Sequence, residues 1–230
     1  MVDSSDTEFF IRIPEIKQHA SFQSLGIIHS LDSINLSVST GPIVDFRARK
    51  FLSQMPQPGT VPLIYPAHLN LMNCTWPQEN FKKANSIFAN DDTQKMLFPV
   101  GYYCAVKRFS AKEEKRRISA CVISPADFCT PQYFGFENHL NIFHVAKKGL
   151  DKDVAYGLMV FLNSTIVDTF FRSFNGHTQV NATDLRQMCY PALEELRTLG
   201  AWAQKQAYLS FELIDDIVEK TLCQRNVIAI

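Results

Sequence analysis

The chain has 230 residues, of which 46% are hydrophobic and 12% aromatic, a composition that fits a packed globular core and excludes an intrinsically disordered protein. Lys and Arg together number 23, as do Asp and Glu, so no overall charge draws the chain to nucleic acid or anionic membranes, and any anion-binding surface has to be local. No run of about 18 apolar residues occurs, and the polar N-terminal stretch "MVDSSDTEFF" is unlike a signal peptide. The six cysteines are scattered in the manner of reduced, buried thiols. We therefore expect a cytoplasmic protein without a membrane segment.

Short strands are predicted for much of the chain before Gly149. "TVPLIYPAHL" is typical of a short strand, and Pro62 and Pro66 place it at a sheet edge or in an irregular position, because proline cannot donate a ladder hydrogen bond. From Gly101 onward, "GYYCAVKRF" and "RRISACVIS" predict a hairpin, and "ENHLNIFHV" predicts a further strand.

The pattern then becomes helical. "DKDVAYGLMVFLNSTIVDTFFRSF" has apolar residues at three-to-four spacing, with Asp151 or Asp153 as its start and Asn163-Ser164 as a break into two helices. Two amphipathic helices are predicted in "ALEELRTLGAWAQKQ" and "SFELIDDIVEKTL". The predicted fold class is α+β, with a β-rich domain containing hairpins over residues 1–190 and a C-terminal helical extension over 191–230.

Motifs of common catalytic sites are missing from the sequence. It has no GxG, no Pro-Pro, no GxSxG, no HExxH and no CxxC. Cys121, Cys129, His139 and His144 are near one another in sequence, but seven residues separate the two cysteines, against the two to four usual in structural zinc sites. We expect no metal site and no catalytic residue in this chain.

A local excess of positive charge lies in "KRFSAKEEKRR", where six basic residues accompany two glutamates. At the tip and flanks of the predicted hairpin these side chains would lie together and would suit phosphate contacts, which set affinity and register without reading sequence. A solvated hairpin with internal ion pairs is the alternative. The candidate phosphate-binding residues are Arg47, Lys107, Arg108, Lys112, Lys115, Arg116 and Arg117.

Two polar sets follow, in "FENHLNIFH" and in "NGHTQVNATDLR". Asn and Gln side chains both donate and accept hydrogen bonds and can pair with adenine edges in a groove. In "NATDL" the same residue types also predict a helix start with an Asn or Thr cap, so base contact and loop bracing both stay open. The candidates for base or groove contact are Asn138, His139, Asn141, Asn175, His177, Thr178 and Gln179, and those for loop bracing are Asn181, Thr183 and Asp184.

Several segments carry a family resemblance, in the order "STGPIVDFRA", "PGTVPLIYPAHL", "VKRFSAKEEKRRISA", "GFENHLNIFH", "FLNSTIVDTFFRSFNGHTQVNATDLR" and "YPALEEL". They resemble the C-terminal target-recognition region of adenine-N6 DNA methyltransferases from bacterial restriction–modification systems, in the group of TaqI-, BsuBI- and PstI-like enzymes. The resemblance covers about residues 8–200, and its most specific parts are "KRFSAKEEKRR" and "FNGHTQVNATDLR".

The resemblance implies a divided enzyme. Complete members bind S-adenosylmethionine in an N-terminal domain with a Gly-containing loop, and methylate a flipped adenine at an Asn/Asp-Pro-Pro-aromatic motif. Neither motif occurs in this chain. The resemblance therefore implies a recognition part that binds double-stranded DNA without a cofactor of its own, either as a separate subunit beside a catalytic chain or as a piece of a longer enzyme. A structural or interaction protein that docks a partner through its C-terminal helices is the alternative function.

Overall fold

The computed structural model describes residues 22–71, 73–110, 114–174 and 178–223. Long helices follow the strands there, which confirms the α+β class. The strands are β1 (Ser37–Thr40), β2 (Leu52–Ser53), β3 (Thr60–Ile64), β4 (Ser86–Phe88), β5 (Leu97–Pro99), β6 (Tyr103–Lys107), β7 (Ala120–Ile123), β8 (Tyr133–Phe136) and β9 (Leu140–His144). The α-helices are α1 (Asp45–Ala48), α2 (Lys152–Leu162), α3 (Thr165–Phe174), α4 (Ala182–Gln187), α5 (Leu193–Ala203) and α6 (Phe211–Cys223). Short 3-10 helices cover Asp32–Ile34, Arg49–Phe51, Pro66–His68, Gln94–Met96 and Pro125–Asp127.

The strands form two sheets. An antiparallel four-stranded sheet has the order β1-β9-β6-β7, and a five-stranded sheet has the order β2-β4-β3-β8-β5. In the second sheet, β3 and β8 run parallel while the other pairs are antiparallel. The antiparallel pairing of β6 with β7 confirms the predicted hairpin, and β9 confirms the predicted third strand.

The four-stranded sheet is the middle layer of the molecule. In β6, Cys104 and Val106 belong to the hydrophobic cluster that includes the helices. Tyr103 and Ala105, on the opposite face, belong to a cluster with Phe134 of the five-stranded sheet. Because both faces are covered, β6 reads as a continuous apolar run instead of the alternation of a half-exposed strand.

Of the two positions predicted for the strand around Pro62, the sheet edge was wrong, because β3 is the central strand of its sheet, and the irregular position is the one found. It pairs with β4 through Thr60–Pro62 and with β8 only from Leu63 onward. Pro62 thus lies where the strand changes partner, so its missing N–H interrupts neither ladder.

The helical break was predicted correctly. Asp151 caps α2, and its Oδ1 accepts hydrogen bonds from the N–H groups of Asp153 at 3.0 Å and Val154 at 3.3 Å. The chain turns between α2 and α3 at Asn163, whose amide donates to the carbonyl of Ala120 at 2.9 Å and accepts from its N–H at 3.2 Å. Asn163 therefore fixes the turn between the two helices to β7, because its side chain pairs with the backbone of Ala120 as a neighbouring strand would.

The tightest helix contact is the crossing of α2 and α5. A Cβ atom on Gly157 would lie 1.8 Å from the carbonyl oxygen of Leu196, and one on Gly200 would lie 1.8 Å from that of Asp153. Only glycine allows this approach. Leu196 and Leu199 of α5 lie in the same hydrophobic cluster as α2, so the boundary predicted at residue 190, which stays a prediction, would divide a shared core.

Within the described residues no single helix is long and apolar enough to cross a membrane. Only α2 and α3 taken together reach the required length and apolarity, and they are bent by 61° relative to each other.

Candidate nucleic-acid interface

The polar segment 178–181 is fixed to the hairpin through main-chain atoms. The N–H of Val180 donates to the carbonyl of Arg108 at 2.7 Å, and the N–H of Ser110 donates to the carbonyl of Thr178 at 3.2 Å. A third hydrogen bond comes from Asn141 on β9, whose Nδ2 donates to the carbonyl of Val180 at 2.7 Å. Asn141 is completely buried. It supports the segment from beneath, so the structure removes it from the predicted groove contacts and makes it a brace.

Arg108 joins the second polar set to this segment. Its main-chain N–H donates to the carbonyl of His139 at 2.9 Å, and its guanidinium donates to the carbonyl of Asn138 at 2.9 Å. A longer contact of 3.5 Å reaches Oδ1 of Asn181. The half-buried Arg108 therefore positions its neighbours and is not a free phosphate-binding group. The two polar sets that were far apart in sequence adjoin here.

The start of α4 has the geometry that the "NATDL" pattern predicts. Asn181 is the N-cap, and its N–H donates to the carboxylate of Asp184 at 2.9 Å. Asp184 is buried, and Thr183 is half-buried in the first turn. Asp184 thus braces this helix start. Thr178 is exposed and Gln179 is half-buried just before it.

An open cleft of about 600 Å³ lies beside these segments, and we call it the aromatic cleft. Phe109 stands at its mouth with 46% of its surface exposed. Its ring lies 5.2 Å from that of His139, centroid to centroid. The cleft is lined by Tyr65, Phe81, Lys82, Lys83, Phe109, Glu137 and His139, together with the neighbouring backbone.

Strand register explains why Tyr65 and Glu137 meet in the aromatic cleft. In the parallel pair, Leu63 is opposite Gly135 and Ile64 is opposite Phe136, so the next residues along the two strands are Tyr65 and Glu137. Both leave the sheet at the same end and, by alternation, on its outer face. Tyr65 and Glu137 are buried, although each ends in a polar group.

Charges at the cleft are partly paired. The carboxylate of Asp45 lies 2.8 Å from Nζ of Lys83, and the hydrogen bond and charge of Lys83 hold the pKa of Asp45 below its usual value. Burial raises the pKa of the Tyr65 phenol above its usual value, and the charges of Asp45 and Glu137 add to the effect. Tyr65 therefore keeps its hydroxyl proton.

His68 lies beneath the cleft and packs against Phe81, with ring centroids 4.7 Å apart. Its Nδ1 accepts from the N–H of Tyr65 at 3.0 Å, and its Nε2 lies 3.2 Å from Oδ1 of Asn85. Burial lowers the pKa of His68 to about 4, so the ring is neutral at physiological pH.

The far end of the basic segment turns away from the cleft toward the helices. Arg116 donates to the carbonyl of Asn163 at 3.2 Å, and one of its terminal nitrogens lies 3.0 Å from the carboxylate of Asp215. Arg117 is only 3% exposed, and its N–H donates to Oδ1 of Asp168 at 2.6 Å. These two arginines, predicted to bind phosphate, instead hold the hairpin connection against α3 and α6.

Of the remaining predicted basic residues, Lys107 and Lys115 lie together and Arg47 lies on another element. Lys115 is exposed and forms a surface ion pair with Glu212 at 3.2 Å. Lys107 is half-buried at the end of β6, in a small cleft of about 230 Å³ that Lys115 also lines. Arg47 is exposed on α1. Lys112, Asn175 and His177 lie outside the described residues.

Sequence reasoning missed the basic group around Arg47. Lys82 and Lys83 are exposed and line the aromatic cleft, and Arg49 and Lys50 are exposed just after α1. The contact of Lys83 with Asp45 brings the two segments together. The signal was the short run "FKK", an aromatic residue followed by two lysines, which pairs a stacking surface with positive charge.

The Cys/His residues do not converge. Cys121 is buried, Cys129 is exposed, and His139 and His144 lie at opposite ends of β9. Within the described ranges no three His, Cys, Asp or Glu side chains are placed to hold a metal ion.

Comparison with known proteins relates the chain to restriction–modification proteins. It is 48% identical over 203 residues to the Type II methyltransferase M.BsuBI of Bacillus subtilis, an alignment that covers 88% of this chain and 40% of that protein. It is 41% identical over 226 residues to the Type II methyltransferase M.PstI of Providencia stuartii, covering 96% of this chain and 44% of that protein. The chain thus spans less than half the length of either relative. No family model matches it.

Among solved structures, the type IIG restriction endonuclease BpuSI has a similar fold. The superposition has a TM-score of 0.50 at 9% identity and covers 90% of this chain and 33% of that one. At this identity the likeness concerns the fold alone. The sequence comparisons establish that the chain is similar, over nearly all of its length, to part of two Type II methyltransferases.

Proposed function

We propose that this chain is the DNA target-recognition part of an adenine-N6 methyltransferase of a restriction–modification system. The observation that carries the proposal is the 48% identity to M.BsuBI, which extends over 88% of this chain and only 40% of the relative. A region that matches part of a methyltransferase and lacks GxG and Pro-Pro would position DNA. Methyl transfer and S-adenosylmethionine then belong to a catalytic part outside this sequence, as another chain or another region. Such a role would place the protein in the cytoplasm with the DNA.

The surface around the aromatic cleft is the proposed contact face. The exposed basic group beside it would bind phosphates, since Lys and Arg neutralise the backbone and release counterions. Segments 138–139 and 178–179 would contact the groove or shape the loops that do so. The proposed phosphate-binding residues are Arg47, Arg49, Lys50, Lys82 and Lys83 in this basic group, and Lys107 and Lys115 in the smaller cleft beside the hairpin connection. The proposed groove segments carry Asn138, His139, Thr178 and Gln179. Lys112, Asn175 and His177 stay in the proposal on sequence grounds.

Selection from a randomised duplex pool tests recognition directly. The purified chain is incubated with a labelled duplex containing a random central segment, and bound DNA is amplified and sequenced over several rounds. We expect salt-dependent binding and enrichment of one short sequence. Binding without enrichment would limit the chain to non-specific DNA contact, and no binding even at low salt would overturn the proposal.

An interaction protein is the second candidate, and one observation favours it. A cleft of about 470 Å³ between α3 and α6 is lined mainly by apolar side chains, including Ile166, Val218 and Leu222. A partner docked there would contact the C-terminal helices. If the chain binds no DNA but comigrates with a separately expressed methyltransferase catalytic chain in size-exclusion chromatography, this second function is favoured.

A further inference from the structure

Oη of Tyr65, a buried polar atom of the aromatic cleft, has no hydrogen-bond partner among the described residues, and the buried Oε1 of Glu137 has only an ion-pair contact with Nδ1 of His139. Burying a polar group without a hydrogen bond is unfavourable, because the group gives up its hydrogen bonds to water. Other buried atoms lack partners too, such as Oγ of Ser86, but these two line one cleft with aromatic walls. A buried donor and a buried acceptor in an open cleft indicate a ligand that supplies both partners.

His139 already occupies a position that a flat heteroaromatic ligand would take. Its ring packs on Phe109, and its Nδ1 lies 2.7 Å from Oε1 of Glu137 without the geometry of a hydrogen bond. The His139 side chain is 41% exposed. Its ring can therefore turn outward into solvent and leave the space between Phe109 and Glu137.

The chemistry of the cleft selects the ligand. Phe109 offers an exposed aromatic face for stacking, and Lys82 and Lys83 at the rim offer positive charge for a phosphate. The Glu137 carboxylate accepts a hydrogen bond, as carboxylates do from the amine of cytosine, and the Tyr65 hydroxyl can donate one. Adenine and cytosine both carry an exocyclic amine next to a ring nitrogen that accepts.

We propose that the aromatic cleft binds one unstacked base of the DNA, an adenine or a cytosine, which replaces the His139 ring on Phe109 and pairs with Glu137 and Tyr65. This inference rests on the proposed function. It assigns a base to the recognition part itself, distinct from the adenine that the methyltransferase resemblance assigns to a catalytic motif outside this chain.

The test compares duplexes that differ in one unpaired base. The full chain is titrated by fluorescence anisotropy against a fully paired duplex, four duplexes with a single bulged A, C, G or T, and one with an abasic bulge. We expect the bulged A and C duplexes to bind about tenfold more tightly than the abasic one, which matches the strength of stacking on one aromatic side chain. The bulged T duplex should gain less because its edge lacks the amine.

Three variants locate the effect. Tyr65→Phe removes only an unpartnered hydroxyl, so the protein should stay folded while the preference for A and C falls. Phe109→Ala should remove most of the preference, and His139→Ala should increase it because no ring has to be displaced. Tyr208→Ala is the matched control, since Tyr208 is 69% exposed and lies between α5 and α6, away from the cleft.

The outcomes separate the two proposals. Salt-dependent binding of the paired duplex with no preference for bulged A or C overturns the inference and leaves the proposed function standing. A preference that survives both Tyr65→Phe and Phe109→Ala overturns the assignment to this cleft, as does a weaker preference in His139→Ala. No binding of any duplex overturns the proposed function and this inference together.

Discussion

Two buried polar residues on the helical side of the molecule differ from two in the aromatic cleft in how their polar atoms are paired. On the helical side, the carboxylate of Asp168 accepts from the N–H of Arg117 and from Nε of Arg172, and the amide of Asn163 makes hydrogen bonds on both of its ends. In the cleft, Oη of Tyr65 has no hydrogen-bond partner and Oε1 of Glu137 has only the ion-pair contact with His139. The first pair of groups is already used to hold the fold together, whereas the second pair is left for the ligand proposed above.

The largest effect is expected on the helical side, at the crossing of α2 and α5. Gly200→Ala would place a Cβ atom 1.8 Å from the carbonyl oxygen of Asp153, so the helices would have to separate. We expect a loss of roughly 4 kcal/mol in the free energy of unfolding, although alanine is the better helix former. Urea unfolding measures it. Thr198→Ala, at an exposed position of the same helix, is the control, and an equally small change in both variants would break the comparison.

A pH-dependent loss is expected on the cleft side, at His68. Its pKa is about 4 in the folded protein, against an ordinary value of 6.5, because the ring is buried. The unfolded chain then binds more protons between these values, so the free energy of unfolding falls as the pH drops from 6.5 to 4, by roughly 3 kcal/mol in all. Urea unfolding from pH 7 to pH 4 should show a shallower dependence in His68→Gln. The same pH dependence of the free energy of unfolding in the wild type and in His68→Gln would contradict a lowered pKa of His68.

An intermediate loss of stability is expected on the helical side for Arg116→Ala. The Arg116 side chain is 12% exposed and is shared among Asn163, Thr165 and Asp215. We expect the free energy of unfolding to fall by about 2 kcal/mol, mostly because Asp215 loses its ion pair with Arg116 and keeps only its hydrogen bonds from Thr165. Affinity for a random duplex should stay within about twofold of the wild type. Lys115→Ala, at a fully surface-exposed ion pair, should barely change stability. A large loss of DNA affinity in Arg116→Ala would restore this arginine as a phosphate contact.

The smallest effect on stability, and a selective effect on DNA, is expected for the exposed basic group. Replacing both Arg47 and Lys82 with Gln should lower the log–log salt slope of duplex binding by about 1.8, or roughly 0.9 for each phosphate contact. The free energy of unfolding should change by less than about 0.5 kcal/mol. Lys148, in the turn between β9 and α2, and Lys205, just after α5, are both exposed and serve as the control pair for the same substitution. Equal salt slopes of duplex binding for the two double variants would mean that the DNA does not contact the surface around Arg47 and Lys82.

Local sequence signals were sufficient for the helices. Asp151 caps α2 and Asn181 opens α4 because capping depends on residues one to four positions away. The hairpin of β6 and β7 was likewise visible, since both strands are close in sequence. The sequence did not show which groups the basic side chains of the hairpin would contact. Arg108 and Arg116 bind different segments, and these could not be read from the sequence because their partners, Asn138 and Asp215, are distant along the chain.

The cleft could not be predicted from the sequence. Tyr65 and Glu137 each follow an apolar strand and look like ordinary strand ends. Their meeting depends on the parallel pairing of β3 with β8, across about seventy residues, and no local pattern encodes that register. The sequence left Pro62 between an edge and an irregular position for the same reason, since the point where β3 changes partner is fixed by β4 and β8 together.

The main-chain hydrogen bonds around segment 178–181 have a consequence for how the proposed contact face can change over evolution. The hydrogen bonds that join this segment to the hairpin use the backbone atoms of Arg108, Ser110, Thr178 and Val180. The buried Asn141 also grips a backbone carbonyl. Substituting the exposed side chains at 109 and 178 therefore leaves these hydrogen bonds intact. Mutation can retarget such a surface one position at a time without the chain losing its fold in between.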